Sequence, residues 1–250
     1  MTRIATRTFL LALLAAAAGA LQAAEIKVFS SNALKSVLEE LAPQFEKATG
    51  HKVATQFAPA ADLKARIDKG EAFDVAILTA ALMDDLAKMS RIAVGSRIDV
   101  ARAGAGVAIR KGAPKPDLTS AESFKRALLQ AKSVAYVGTG ATGATMRRIF
   151  ERFGIVEEMK AKTKLLSGVS AAEAVARGDA ELGFTVISEI LPVAGAELAG
   201  PLPPEVQVYL VFPAAGAASA REPEAALQFL RYLKTPEAAK VIRAKGMEPG

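Results

Sequence analysis

The sequence predicts an α/β protein of two lobes, each a doubly wound sheet, with a cleft between them. Three observations predict it. Short apolar runs alternate with amphipathic stretches of helical period along the chain, which implies largely parallel strands with helices on both faces. The mature length, about 226 of 250 residues, exceeds what one such sheet usually needs. The strand-loop-helix pattern also restarts in the second half, without an internal repeat or a low-complexity linker.

The elements follow in order. Arg3 and Arg7 give a basic start, Phe9 to Leu21 is almost unbroken apolar, and small residues follow in LQAAE. These are the three parts of a secretory signal peptide, cleaved after Ala23 or Ala24. A run of 13 residues is short for a membrane span, which needs about 20, so residues 1–24 are expected to direct export and be removed. The mature chain then opens with a strand, Ile26–Phe29. A helix is expected over Leu34–Thr49, because Leu34, Val37, Leu38, Leu41, Phe45 and Ala48 share one face. Gly50 stops it, and Pro43 should kink or split it. The strand Lys52–Phe57, the helix Asp62–Lys69, the strand Phe73–Leu78 and the helix Leu82–Met89 complete the first half.

In the second half, strands near Gly106–Arg110, Val134–Val137, Thr163–Leu166 and Gly183–Val186 alternate with helices near 120–131, 143–153 and 170–177. A strand at Val206–Phe212 and helices near 223–233 and 236–245 close the chain. The lobes should be crossed near Ala101–Gly106 and Val206–Pro213. Residues 25–103 with 208–250 then form one discontinuous lobe and residues 104–207 the other.

Composition excludes several function classes. The net charge of +6 falls to +4 once Arg3 and Arg7 are removed, leaving 30 basic against 26 acidic residues. The basic residues are scattered, Trp is absent and Tyr occurs three times, so neither a phosphate-binding patch nor base-stacking platforms are expected. With no Cys there can be no disulfide, thiol nucleophile or Cys-ligated metal. Stability must come from the core, which a 51% apolar composition can supply. His51 is the one His, and its place after Gly50 reads as an exposed loop. No metal or cofactor is expected.

One motif argues superficially for a nucleotide. Gly138-Thr139-Gly140-Ala141-Thr142-Gly143 lies between a strand and a helix, the G-x-G-x-x-G pattern of dinucleotide sites. That reading demands an acidic residue at the end of the next strand. Here that strand ends in KLLSG, with Ser167 and Gly168 where the acid should stand. What remains is a set of backbone N–H groups at a helix start, which suits an anion, with Thr139 and Thr142 as extra donors. A tight turn without ligand is the plainer alternative.

Two more strand ends carry donors into helix starts. The first reads FSSNALK, with Ser30, Ser31 and Asn32; the second reads FAPAADLK. In doubly wound sheets ligands collect at the carboxyl ends of the strands. If two lobes face each other, these helix starts converge on one cleft.

The stretches EIKVFSSNALKSVLEELAPQFEKATGHKV, LKARIDKGEAFDVAIL, GATMRRIFERFG, AAEAVARGDAELGF and LQFLRYLKTPEAAKVIRAKGM resemble, in order and spacing, the molybdate-binding type II periplasmic solute-binding proteins of ABC transporters. The resemblance spans nearly the whole mature chain. It implies two α/β lobes closing over a small anion, a periplasmic location, delivery to a membrane permease and a monomer. The family's molybdate binders use two serine hydroxyls and a tyrosine, and the aligned positions here are Ala33, Ala60 and Val186. A divergent branch is the better match to SSNALK, GPLPPEVQ and ISEIL. Aconitate isomerase, an exported enzyme of the same superfamily, is similar in general layout, which raises the alternative of an isomerase acting on a small tricarboxylate.

The ligand site is therefore expected at Ser31, Asn32, Ala60, Thr142, Gly143 and Ser188, with Arg102 and Glu189 as the charged candidates. Arg102 lies at the presumed crossing and serves either a ligand or a structural ion pair. Glu189 is the candidate base if a proton is moved, or else a solvated helix start. Asp62 reads as a helix cap.

Overall fold

The computed structural model of the chain describes residues 23–139 and 141–250. Nearly all of the expected signal peptide, and Gly140 of the glycine motif, lie outside the described residues.

The first strand, β1 (Glu25–Ser31), runs through a 3-10 turn (Asn32–Leu34) into α1 (Lys35–Thr49). The buried face of α1 is Val37, Leu38, Leu41, Ala42 and Phe45, close to the periodicity read from sequence. Pro43 does not split the helix. It sits on the exposed side, so the carbonyl four residues earlier that loses its N–H partner can turn to water. Gly50 ends α1 in the left-handed region (φ 78°), its N–H donating to the Glu46 carbonyl.

Next come β2 (Lys52–Ala58), α2 (Ala60–Asp68), β3 (Val75–Ile77) and α3 (Ala80–Lys88). Asp62 is not the cap expected: Pro59 holds that position and Asp62 lies within the first turn. The strand β4 (Ile98–Arg110) is far longer than expected. It leads to α4 (Ala121–Gln130), β5 (Val134–Val137), α5 (Ala141–Phe153), α6 (Val156–Lys160), β6 (Thr163–Leu166) and α7 (Ala171–Arg177). Then follow β7 (Leu182–Val186), the short α8 (Ile187–Ile190), β8 (Ala196–Pro201), β9 (Tyr209–Gly216), α9 (Pro223–Tyr232), α10 (Pro236–Ala244) and β10 (Glu248–Pro249). No helix among the described residues is long and apolar enough to cross a membrane.

The strand order is β2-β1-β3-β9-β4-β7-β5-β6, with β10 and β8 also paired to β4. The sheet is mixed rather than parallel throughout. β1, β2 and β3 are mutually parallel, as are β5, β6 and β7, while β9 and β4 run antiparallel between the two groups. β4 serves both groups: Ile98 to Gly104 pair with β9, and Ala105 to Ala108 pair with β7.

Alternation along each strand sends side chains to opposite faces. Val28 joins a core with Leu38, Phe45 and Phe229, while its neighbour Phe29 joins a second with Leu63, Ile67 and Met83. In the other group Val107 packs with Phe124, Met146 and Phe184, and Ala108 packs with Ala172 and Val175. Each group of strands is thus covered on both faces.

His51 is buried rather than exposed, at 6% accessibility, and stacks on Phe45 with ring centroids 6.1 Å apart. Its Nδ1 accepts from the Ala24 N–H at 3.1 Å and its Nε2 lies 3.2 Å from Gln228 Oε1. The ring is therefore a structural link between the residue before β1 and α9.

Two predictions follow from this packing. Phe45 meets Phe229 edge-on at 5.1 Å and Tyr232 at 5.5 Å, so Phe45→Ala should cost about 3–5 kcal/mol in urea unfolding. A Cβ at Gly143 would lie 2.5 Å from the Val137 carbonyl oxygen and 2.7 Å from that of Gly138. Both obstacles are backbone, so Gly143→Ala should cost about 1–3 kcal/mol; an unchanged urea midpoint would mean that α5 does not press on the end of β5 as described.

Candidate functional site

The parallel pairing decides which loops can meet. In the β1–β2 register Ser31 stands opposite Ala58. The chain therefore leaves β1 at Asn32 and β2 at Pro59 along one edge, with Ala60 opening α2 there. In the other group Val137 stands opposite Leu166, and Ala135 opposite Gly183. The loops after β5, β6 and β7 leave along one edge as well. Thr142 and Gly143 lie in the first turn of α5, and Ser188 and Glu189 lie in α8, directly after β7.

The two groups meet at α8. This helix packs against the Asn32–Leu34 turn and α1, and Val186 just before it is buried in the core built around β1 and α1. The structure therefore sets the Asn32–Leu34 turn, which directly follows Ser31, against the helix that carries Ser188 and Glu189. Ser31 is buried and its hydroxyl accepts from the Ala33 N–H at 3.4 Å, while Asn32 is exposed. Ser188 is 2% accessible, and its hydroxyl has no partner among the described residues.

Glu189 is not the solvated helix start considered above. Its side chain accepts from the Thr185 hydroxyl, itself buried. Loss of water pushes its carboxyl above the ordinary range; the Thr185 bond opposes this, and the charge of Glu173 adds to it. Glu173 behaves oppositely. It closes a capping box with Ser170 at the start of α7, and the Ser170 N–H holds its carboxylate below the ordinary range, with Arg177 and Lys35 contributing positive field. Lys35 stands at the start of α1, so its influence on Glu173 bridges the two strand groups.

Lys35, Glu173 and Thr185 were not singled out from sequence. Ser170-x-x-Glu173 is a readable capping box, but only the fold sets it beside Glu189. Thr185 looks like any strand residue until its hydroxyl is found on a carboxyl four positions later.

Four candidates stand apart from α8. Arg102 lies within β4, opposite Glu248 on β10, and its Nε donates to Glu248 at 2.6 Å. Its guanidinium carbon stands 5.4 Å from the Tyr209 ring centroid. This is the structural ion-pair alternative, on an exposed surface where such pairs stabilise little. Gly143 has a packing reason to be glycine whether or not it meets a ligand. Ala60 and Thr142 are half-buried at the same strand edges as the other candidates.

A separate open concavity of about 750 Å3 is lined by Pro116, Leu118, Pro201, Leu202, Gln207 and Tyr209, among others. None of the candidate residues lines it, and its proline-rich apolar wall offers few donors to an anion. Chemistry, rather than volume, favours the α8 contact.

Residues 26–248 match the family described as bacterial extracellular solute-binding protein. The chain is 34% identical to aconitate isomerase of a Pseudomonas species over 230 residues, covering 90% of this chain and 87% of that one. It is 30% identical to the molybdate-binding protein ModA of Azotobacter vinelandii over 239 residues, 91% of each. Among solved structures, the periplasmic molybdate-binding protein of Azotobacter vinelandii superposes with a TM-score of 0.75 at 24% identity, covering 90% of this chain and 99% of that one. The sulfate-binding protein SubI of Mycobacterium tuberculosis superposes at 0.73 and 16% identity, covering 90% and 87%. The shared architecture is the two-lobed fold of periplasmic binding proteins, and the chain belongs to the bacterial extracellular solute-binding protein family.

Proposed function

We propose that the protein is an exported, periplasmic solute-binding protein that captures a small organic carboxylate between two lobes, for delivery to an ABC permease. The lobes are residues 25–103 with 208–250, and residues 104–207. The switch of pairing partner at Gly104/Ala105 supports that division. A hinge at this point would let the lobes close over a ligand, and the working form is a monomer.

The observation that carries the reading is the packing of the Asn32–Leu34 turn, next to Ser31, against the helix that bears the unpartnered Ser188 hydroxyl and the half-buried Glu189 carboxyl. It favours an organic acid over a tetrahedral oxyanion. The aligned positions that would supply the molybdate-binding hydroxyls are Ala33, Ala60 and Val186, and each lost donor costs about 1–3 kcal/mol. A carboxyl group in the site is a poor neighbour for a compact dianion. An organic acid spreads its charge over separated carboxylates and can share a proton.

A second reading has its own support. The 34% identity to an aconitate isomerase, with a carboxyl raised towards neutrality, favours a proton shift on a tricarboxylate. In that reaction a base takes one proton from a CH2 carbon, the double bond moves by one position, and one proton returns to the far carbon. No oxidant or cofactor is required. Glu189 is the residue we would assign to the transfer.

One experiment separates the readings. The mature protein, stripped of ligand by unfolding and refolding, is melted with molybdate, tungstate, sulfate, phosphate, citrate and both aconitates. Ligand at 100 times Kd stabilises by about 2.7 kcal/mol, a shift of roughly 5–10 °C at this size. A shift with tricarboxylates and none with molybdate is expected; a shift with molybdate or tungstate alone would overturn the carboxylate reading. Incubation with each aconitate, followed by proton NMR, then distinguishes an unchanged ligand from isomerisation.

A further inference from the structure

The short helix α8 has a sidedness that its neighbours reveal. At about 100° per residue, Ile187 and Leu191 point one way. Both meet Gly246, where an added Cβ would lie 2.6 Å from Leu191 Cδ1 and 3.1 Å from Ile187 Cγ2. Ile190 points elsewhere, into the cluster of Ala108, Ala172 and Val175. Glu189 turns to Thr185, with Glu173 of α7 nearby. Ser188 occupies the remaining arc, between Leu191 and Glu189. The neighbours of α8 left to face that arc are the Asn32–Leu34 turn and α1.

The surroundings of Glu189 are poor in positive charge. Among the described residues no Lys or Arg nitrogen lies within 4.0 Å of its carboxyl, and its one donor is the neutral Thr185 hydroxyl. On α7 stand Glu173 and Arg177, the latter paired with Asp179 at 3.1 Å. On α1 stand Lys35 and Glu39, 3.9 Å apart. On β8 Glu197 is engaged by Lys115 at 2.7 Å. The residues of β4 and β7 against α8, among them Gly106, Ala108 and Thr185, carry no charge, and neither does the Asn32–Leu34 turn. An ionised Glu189 would meet an incoming anion with repulsion. A neutral one offers an O–H on the oxygen that Thr185 does not occupy, next to the free Ser188 hydroxyl.

We propose that this protein binds its organic acid together with one proton, held on Glu189, whose neutral carboxyl donates a hydrogen bond to a ligand carboxylate beside Ser188. The proposal rests on the carboxylate reading above. No bond other than this hydrogen bond forms; the proton comes from solvent and returns there on release. Proton uptake on binding means that affinity falls as pH rises. The fall approaches about tenfold per pH unit once Glu189 is ionised in the free protein, a direction consistent with burial and Glu173 both favouring its neutral form.

The test is calorimetric titration of the mature protein with trans-aconitate, at several pH values and in buffers of different ionisation enthalpy. Wild type should take up a proton on binding. Glu189→Gln, which keeps a donor without a titrating proton, should lose that uptake and bind more tightly than wild type at pH 8. Protonation of trans-aconitate itself contributes equally to both proteins and drops out of the difference. Glu173→Gln, which can still close the capping box, should move the loss of wild-type affinity to lower pH, and Ser188→Ala should weaken binding while uptake persists. Tight wild-type binding that neither weakens with rising pH nor takes up a proton at any pH, or equal uptake in wild type and Glu189→Gln at every pH, overturns this proposal and leaves the carboxylate reading standing. Absence of wild-type binding at every pH overturns both.

Discussion

The molecule depends on one strand. β4 spends its first half in one sheet and its second half in another, and the exchange takes place within a single peptide unit, between Gly104 and Ala105. A backbone that changes partners leaves N–H and C=O groups at risk of burial without hydrogen bonds, which costs more than a bond gains. Gln207 resolves this. Its Oε1 accepts from the Ala105 N–H at 3.1 Å, and its Nε2 donates to the Ala105 carbonyl at 3.1 Å. The Ala105 N–H also reaches the Val208 carbonyl, at 3.1 Å. The two crossing segments are therefore fastened to each other where the pairing is weakest.

The site depends on the same exchange. Because β9 and β4 run antiparallel to their neighbours, the two parallel triplets of strands are set against each other with their loops able to meet. α8 occupies that meeting place. It is tied at Gly106, where a Cβ would fall 2.9 Å from Ile187 Cγ1, and at Gly246 on the far side. Both glycines let a short helix sit close to backbone. The polar residues of α8, Ser188 and Glu189, are then held near the first strand end without a long loop to order.

Electrostatics at this place are asymmetric. Glu173 and Glu189 share a neighbourhood, yet one is held charged and the other is driven towards neutrality. The difference is desolvation at Glu189 against a backbone hydrogen bond at Glu173. Glu173 accepts a backbone N–H and has cations in reach, while Glu189 has a hydroxyl and little water.

Much of this was legible in the residues. Helical period placed the core face of α1, alternation placed the short strands, and the restart of the pattern announced two sheets. The glycine motif lacks the acidic residue that a dinucleotide site demands, with Ser167 and Gly168 in its place. His51 was misjudged because its outcome depends on what faces it, Phe45, Ala24 and Gln228, while Pro43 stands on the exposed side of a helix that it does not split. Arg102 could be read as a ligand contact or as an ion pair, and its partner Glu248 lies 146 residues away. By itself, then, the sequence determined the fold class, the cores and the strand ends that bear donors, since these follow from local period and turn chemistry. Tertiary structure alone decided which donors meet, which charges are already paired and which carboxyl loses its water, because burial and pairing are properties of neighbours that are distant along the chain.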